Sequence, residues 1–247
     1  MPQSFQTNRL LNGLTIADLA LISPHLQHIQ TPRGFTVMRG YRTVTHVYFP
    51  TSGLISIVGR SGNREIELGI AGREGMVGTA ILLGVDATPY EAYSQIAGQA
   101  FQLPIAFFIT ALAESATMRL YLNRYLYAFQ VQVSETAISH GVQKIENRLA
   151  RWLLMCHDRE TGNSLPIPHE FLSMMLGVRR ASVTTTLDKF RTAGIVSTQR
   201  GIVGIVNRAA LLQLAGSTYG VAEAEYERVM GFNTAKLSTA GVDQDQA

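Results

Sequence analysis

The chain has 247 residues, is 46% hydrophobic and contains 22 glycines, enough for two compact domains rich in turns. Its one cysteine, Cys156, excludes an internal disulfide and a four-cysteine iron–sulfur cluster within one chain. No apolar run approaches the ~20 residues of a membrane span, and the N-terminal residues lack a basic segment followed by an apolar core, so the expectation is a cytoplasmic protein with no membrane partner.

Residues 1–28 have a helical pattern, with Thr15 as N-cap and Asp18 three residues on, ahead of Leu19, Leu21 and Ile22; Pro24 interrupts it. Residues 30–104 change character. Short β-rich runs at 35–38, 46–49, 54–58, 65–70, 90–96 and 100–103 alternate with glycines, which predicts an antiparallel sandwich or barrel enclosing a small ligand or only its own side chains. The segment GREGMVG, 72–78, is either turn chemistry or a loop whose amides line an anion site.

From Pro104 the pattern is helical. A short helix at 105–113 precedes a long one at 116–140, whose Met118, Leu122, Tyr125, Phe129, Gln132 and Thr136 alternate by four and three. A helix of ~24 residues is ~36 Å long, more than a small barrel covers. The surplus predicts a dimer interface along that seam, with a second copy of the chain as partner. Gly141 is the expected hinge before a helix at 142–158, with Ile145, Leu149, Trp152, Leu153 and Cys156 turned inward.

The stretch 166–206 carries the most specific pattern. Phe171, Leu172, Met175 and Leu176 mark one face of a helix, and Gly177 ends it. A second helix from Arg179 turns Val183, Leu187 and Phe190 inward, and Gly194 ends it. Two β-branched runs joined by Gln199-Arg200-Gly201 then predict a hairpin. Helix, glycine turn, helix and hairpin make a winged helix-turn-helix. The outward face of its second helix holds Arg179, Arg180, Ser182, Thr184, Thr185 and Lys189. Cations and hydroxyls contact phosphate, and arginine also takes the O6/N7 edge of guanine. Charge agrees. The net value of +3 divides as +5 over 141–210, +1 over 1–140 and −3 over 211–247, so the excess lies where attraction to double-stranded DNA requires it. Short closing helices follow at 208–215 and 221–230, and a small polar tail from 233 is expected to be disordered.

The order of barrel, long helix and winged helix-turn-helix resembles the Crp/Fnr family of bacterial transcription regulators across residues 10–230. IENRLARWLL at 145–154 and HEFLSMMLGVRRASVT at 169–184 carry the likeness most specifically; VYFPTSGLIS at 47–56 and GREGMVG resemble the sensor domain of one branch. The resemblance implies an α+β chain: an N-terminal helix and cyclic-nucleotide-binding-like β-roll or jelly roll over 1–113, a dimerisation helix over 114–140, and the DNA-binding domain over 141–232. It also implies a homodimer on a palindromic operator, contact with RNA polymerase, and an effector.

Departures from the family pattern refine this. In members that bind cyclic AMP, a glutamate after a glycine takes the ribose hydroxyl and a later arginine neutralises the phosphate. If Gly78 matches that glycine, the glutamate position is Thr79 and the arginine falls near Tyr90, beside Glu91. Those four residues are the candidate ligand pocket, and cyclic AMP is not the expected ligand, because losing a charge-assisted bond to a buried phosphate costs ~1.5–3 kcal/mol. The effector is then another small molecule, or ligand control is lost. Haem would need a histidine ligand such as His46, His140 or His157, but a lone histidine is ordinarily structural, and no cofactor is expected. In the recognition helix the family's arginine, glutamate and second arginine correspond to Arg180, Ala181 and Thr185, which implies an operator unlike the family's usual one. No metal-ligand spacing, nucleophile motif or acid–base pair marks an enzyme. The alternative function is a ligand-binding regulatory protein that acts through protein contacts.

Overall fold

The computed structural model describes residues 7–62 and 64–231, so the tail expected from 233 lies outside the described residues. The architecture is α+β, and the chain divides into two units, Met1–Gly59 with Gly69–Gln130, and Arg60–Leu68 with Val131–Ala247. Among the described residues no single helix is long and apolar enough to cross a membrane.

The first unit opens with α1 (Arg9–Asn12) and α2 (Ile16–Ile22). The Thr15 hydroxyl accepts from the Asp18 amide at 3.1 Å, the expected N-cap. Asp18 is itself buried and accepts hydrogen bonds from Ser115 and Thr117. Burial pushes its carboxyl up, but these bonds outweigh that and hold it below its usual range. The strands are β1 (Gln27–Thr31), β2 (Thr36–Met38), β3 (His46–Ser61), β4 (Arg64–Ala71) and β5 (Glu91–Pro104). They form one sheet in the order β1-β5-β3-β4, with β2 also paired to β5. Strand β1 begins where the first helical pattern was expected to persist, two residues past the short turn at Ser23–His25 that contains Pro24.

The expected runs at 46–49 and 54–58 are one strand, as are those at 90–96 and 100–103. The glycines between them mark bulges, not turns. The β3–β5 register shifts between Pro50 and Ser52, Ser52 and Leu54, and Leu54 and Ile55. Each shift inserts residues on one strand and bends the pair. At this place the two backbones touch: a Cβ on Gly98 would lie 2.1 Å from the Ser52 carbonyl oxygen, and one on Gly53 would lie 2.5 Å from that of Ile96. Only glycine fits at either position.

Helix α3 (Ile105–Glu114) leads through Ser115 into α4 (Ala116–Val142). The Ser115 hydroxyl caps α4 by accepting from the Met118 amide at 3.0 Å. One core cluster of the unit joins Val37, Tyr48, Ile55, Ile57, Ala71, Val77 and Ala92, with Phe35, Met38 and Phe129 of α4 packed against it. Apolar side chains thus fill this part of the roll.

The second unit begins with the tip of the β3–β4 hairpin and the end of α4. Helix α4 runs through Gly141 to Val142, against the expected hinge. The helix breaks at Gln143 and Lys144; Lys144 is extended, with φ −69° and ψ 159°, and starts α5 (Ile145–Arg159). A Cβ on Gly141 would meet nothing within 4 Å, so this glycine reflects neither crowding nor a chain break. Next come β6 (Ser164–Leu165), α6 (His169–Met175), α7 (Arg180–Thr192), β7 (Val196–Gln199), β8 (Ile202–Ile205), α8 (Arg208–Ala215) and α9 (Val221–Met230). A small antiparallel sheet orders them β6-β8-β7.

The bulge supplies a stability prediction. Gly98→Ala must push β3 and β5 apart, and urea unfolding should show a loss of about 1–3 kcal/mol, the usual cost of overpacking. An unchanged midpoint would mean that the strands separate freely there.

Candidate nucleic-acid interface

Helices α6 and α7 meet through a tight turn. Pro168 precedes α6, Gly177 adopts φ 62°, and the Val178 amide donates to the Ser173 carbonyl at 2.9 Å. Leu172 and Met175 of α6 and Val183, Thr186, Leu187 and Phe190 of α7 are buried, together with Leu149, Trp152 and Leu153 of α5. The inward face is the one that periodicity predicts, with Thr186 added; its hydroxyl donates to the Ser182 carbonyl at 2.9 Å, which satisfies it inside the helix.

The outward face of α7 presents Arg180, Ala181, Thr185 and Lys189 to solvent, with Arg179 exposed at the N-cap. No side chain caps that end. Ser182 and Thr184 are half-buried, and the Thr184 hydroxyl shares a hydrogen bond of 3.2 Å with His169 Nδ1. Thr184 therefore serves the α6–α7 contact more than an outer surface. Lys189 donates to Glu146 at 2.9 Å, and that bond holds the Glu146 carboxyl below its usual range. The pair is exposed and worth at most about 1 kcal/mol, so Lys189 can exchange partners. The wing places Thr198 opposite Val203 and Gln199 opposite Ile202, which leaves Arg200 exposed at its tip. Arg200 is a further surface cation whose sequence signal was a charge inside a hairpin turn.

A buried polar network supports this surface. Asp158 is fully buried and accepts from Arg208 at 2.6 Å and from the Tyr219 hydroxyl. Arg208 also donates to His157 Nδ1 at 2.9 Å, so the other ring nitrogen of His157 carries the proton and donates to Asn163 at 2.8 Å. The Asn163 carbonyl accepts from the Ile205 amide at 2.7 Å, tying the network to the wing. Burial lowers the Arg208 guanidinium, but the charges of Asp158 and Tyr219 and the hydrogen bonds to both together outweigh this and raise it; burial and the same carboxylate push the Tyr219 phenol up.

The histidines and the cysteine have structural surroundings. His157 is engaged at both ring nitrogens. Burial, helped by Arg148 and Arg151, lowers His140 to about 4, so it is neutral. His46 Nδ1 lies 2.9 Å from the Thr45 hydroxyl. Cys156 is buried, and burial pushes its thiol well up, which suppresses the reactive thiolate. Among the described residues no three His, Cys, Asp or Glu side chains gather as a metal site.

The first unit holds the candidate ligand residues, and they do not converge. Gly78, with φ 97°, precedes a turn at Thr79–Leu83 and packs on Val47 near the start of β3. Tyr90 is exposed, and Glu91 pairs with Val58 near the far end of β3. Three of the GREGMVG amides are used within the unit: Gly72 donates to the Glu74 carboxylate at 3.2 Å, Gly75 to the Gly72 carbonyl at 3.0 Å, and Val77 to the Tyr48 carbonyl at 2.8 Å. These three amides are satisfied by the segment itself and by Tyr48, which favours turn chemistry.

The expected dimer seam is also consumed within the subunit. Met118, Leu122, Tyr125, Gln132 and Thr136 are buried, and Phe129 packs into the roll. The Tyr125 hydroxyl donates to the Met76 carbonyl at 3.1 Å, and Thr136 receives a hydrogen bond from Arg151 at 3.2 Å. Periodicity finds an apolar seam but cannot say which surface covers it. A second seam faces outward, with Leu120, Arg124, Tyr127, Val131, Ser134 and Ile138 again spaced by four and three. Its Leu120, Tyr127 and Ile138 are 57%, 45% and 53% exposed.

Residues 147–214 match the family model described as the Crp-like helix-turn-helix domain. No curated protein matches the chain. Among solved structures, the chain is similar to a protein described as a crp/fnr-family transcriptional regulator from Eubacterium rectale, with 22% identity and a TM-score of 0.67 over 85% of this chain and 99% of that one. It is similar to a CRP-family regulator from Thermus thermophilus, with 21% identity and a TM-score of 0.64 over 77% and 96%. It is also similar to the c-di-GMP-responsive regulator CLP of Xanthomonas campestris, with 19% identity and a TM-score of 0.61 over 77% and 99%. At these identities the likeness is one of fold. The chain thus carries a Crp-like helix-turn-helix domain and has the fold of Crp/Fnr regulators.

Arg208→Ala would leave Asp158 buried without its cation. Denaturant unfolding should show a loss of about 3 kcal/mol or more; a loss below ~1 kcal/mol would mean that water reaches the carboxylate.

Proposed function

We propose that this chain is a sequence-specific, DNA-binding transcription regulator that acts as a homodimer on a palindromic operator. The observation that carries the reading is the outward face of α7, which holds Arg179, Arg180 and Thr185 in solvent at the turn of a Crp-like helix-turn-helix domain. In the complex α7 enters the major groove. Arg180 reads guanine through a bidentate fork, and Ala181 and Thr185 contact neighbouring bases. Arg179, Ser182 and Arg200 contact phosphate and set the register. Lys189 joins them by leaving Glu146.

A homodimer reads two half-sites about one helical turn, ~34 Å, apart. The outward seam of α4 is the interface, since it leaves large apolar side chains in water that a copy of the same helix would cover. The sensor unit responds to a small molecule other than cyclic AMP, or works without one. Thr79 in place of a ribose acceptor, Tyr90 in place of a cation, and Phe129 packed into the roll support this. RNA polymerase is the further partner, and the cytoplasm the site of action.

In-vitro selection of bound DNA tests the reading. A two-fold symmetric sequence bound in a salt-dependent manner is expected. Binding to no DNA pool would favour the alternative, a ligand-binding protein that acts through protein contacts. Arg180→Ala should weaken operator binding by ~1–3 kcal/mol and relax preference at one base pair per half-site; an unchanged sequence preference would remove Arg180 from base readout. Ile138→Glu should convert dimers to monomers in light scattering without lowering the melting temperature of the subunit. A dimer that survived it would place the interface elsewhere.

A further inference from the structure

The tip of the β3–β4 hairpin belongs to the same compact unit as the helix-turn-helix. The Glu67 carboxylate accepts from Trp152 Nε1 of α5 at 2.6 Å, and both side chains are only 3% exposed. Ile66 lies against Gly177 in the α6–α7 turn, its Cδ1 3.3 Å from where a Cβ would stand. The tip and the turn enclose an open groove of about 1130 Å³. Arg60, Arg64 and Glu65 line it from the hairpin, and Gly177, Arg179 and Ser182 from the turn and α7.

The groove therefore holds three guanidiniums and one carboxylate. Arg60 pairs with Glu65 at 2.5 Å, which leaves Arg64 and Arg179, both exposed and forming no ion pair among the described residues. Small-ligand sites are enclosed and largely apolar, whereas this groove is open and carries three cations among its lining residues. Its shape and charge suit an extended polyanion lying along it. Arg179 also stands at the start of α7, so the groove continues the surface already assigned to the duplex.

We propose that the hairpin is part of the DNA-binding surface, with Arg64 contacting backbone phosphates beside those held by Arg179. The proposal rests on the DNA-binding reading above and adds to it a contact outside the helix-turn-helix. The Glu67–Trp152 bond gives it a physical basis. An anchored hairpin holds Arg64 in place before DNA arrives, so less ordering entropy is lost on binding.

The test measures affinity of the full chain for its selected operator over a salt series. Wild-type binding establishes the DNA-binding reading separately, and its failure would be the failure of that reading. Arg64→Ala should make the dependence of log K on log salt shallower by ~0.9 for each phosphate no longer neutralised, thus ~1.8 for a dimer, with the selected sequence unchanged. Glu65→Gln, which removes the carboxylate, should tighten binding. A wild-type slope in Arg64→Ala, or weaker binding in Glu65→Gln, would overturn the proposal. So would an Arg64→Ala protein that binds DNA normally but loses thermal stabilisation by inorganic phosphate, since the groove would then hold a free anion. Arg64 is exposed, so its removal leaves the fold intact.

Discussion

Helix α4 has more apolar surface than one subunit covers. One seam, from Met118 to Thr136, is committed to its own chain through burial and through the bonds made by Tyr125 and Thr136. The other, from Leu120 to Ile138, stays in water. Fully burying a large exposed side chain is worth about 1.5–3 kcal/mol, and these side chains, already about half covered, would gain roughly half of that each. A row of such side chains at coiled-coil spacing is a strong drive to association, and a copy of the same helix is the simplest cover. In the homodimer proposed above, two-fold symmetry in the protein would carry over to the DNA it reads.

The helix-turn-helix stands on charged groups as much as on an apolar core. Asp158, Arg208, Tyr219 and His157 satisfy one another, and Asn163 carries the network to the wing. An ion pair in that position adds little net stability over apolar packing. Its directional bonds do hold α8 and the wing in one arrangement relative to α5, and a surface that reads bases needs such fixed geometry.

The hairpin crosses the boundary between the two compact units. Strands β3 and β4 start in one unit and end in the other, and Glu67 is bonded inside the second.

The sequence by itself determined the class of the chain. Period-two runs followed by helical periodicity, the Thr15 cap, the Gly177 turn and the inward row of Val183, Leu187 and Phe190 are local patterns, and local patterns survive translation into structure. The cationic bias of residues 141–210 is legible for the same reason, since charge is additive along a chain, and it coincides with the segment that folds as the helix-turn-helix. Tertiary structure decided everything that depends on a distant neighbour. Whether a glycine makes a turn or a bulge depends on which backbone lies across from it, as Gly98 and Ser52 demonstrate. Which seam of α4 is left exposed depends on what the roll covers. Whether Lys189 is free depends on Glu146, 43 residues away, and the place of the β3–β4 hairpin tip in the second unit rests on a bond between Glu67 and Trp152 that no periodicity encodes.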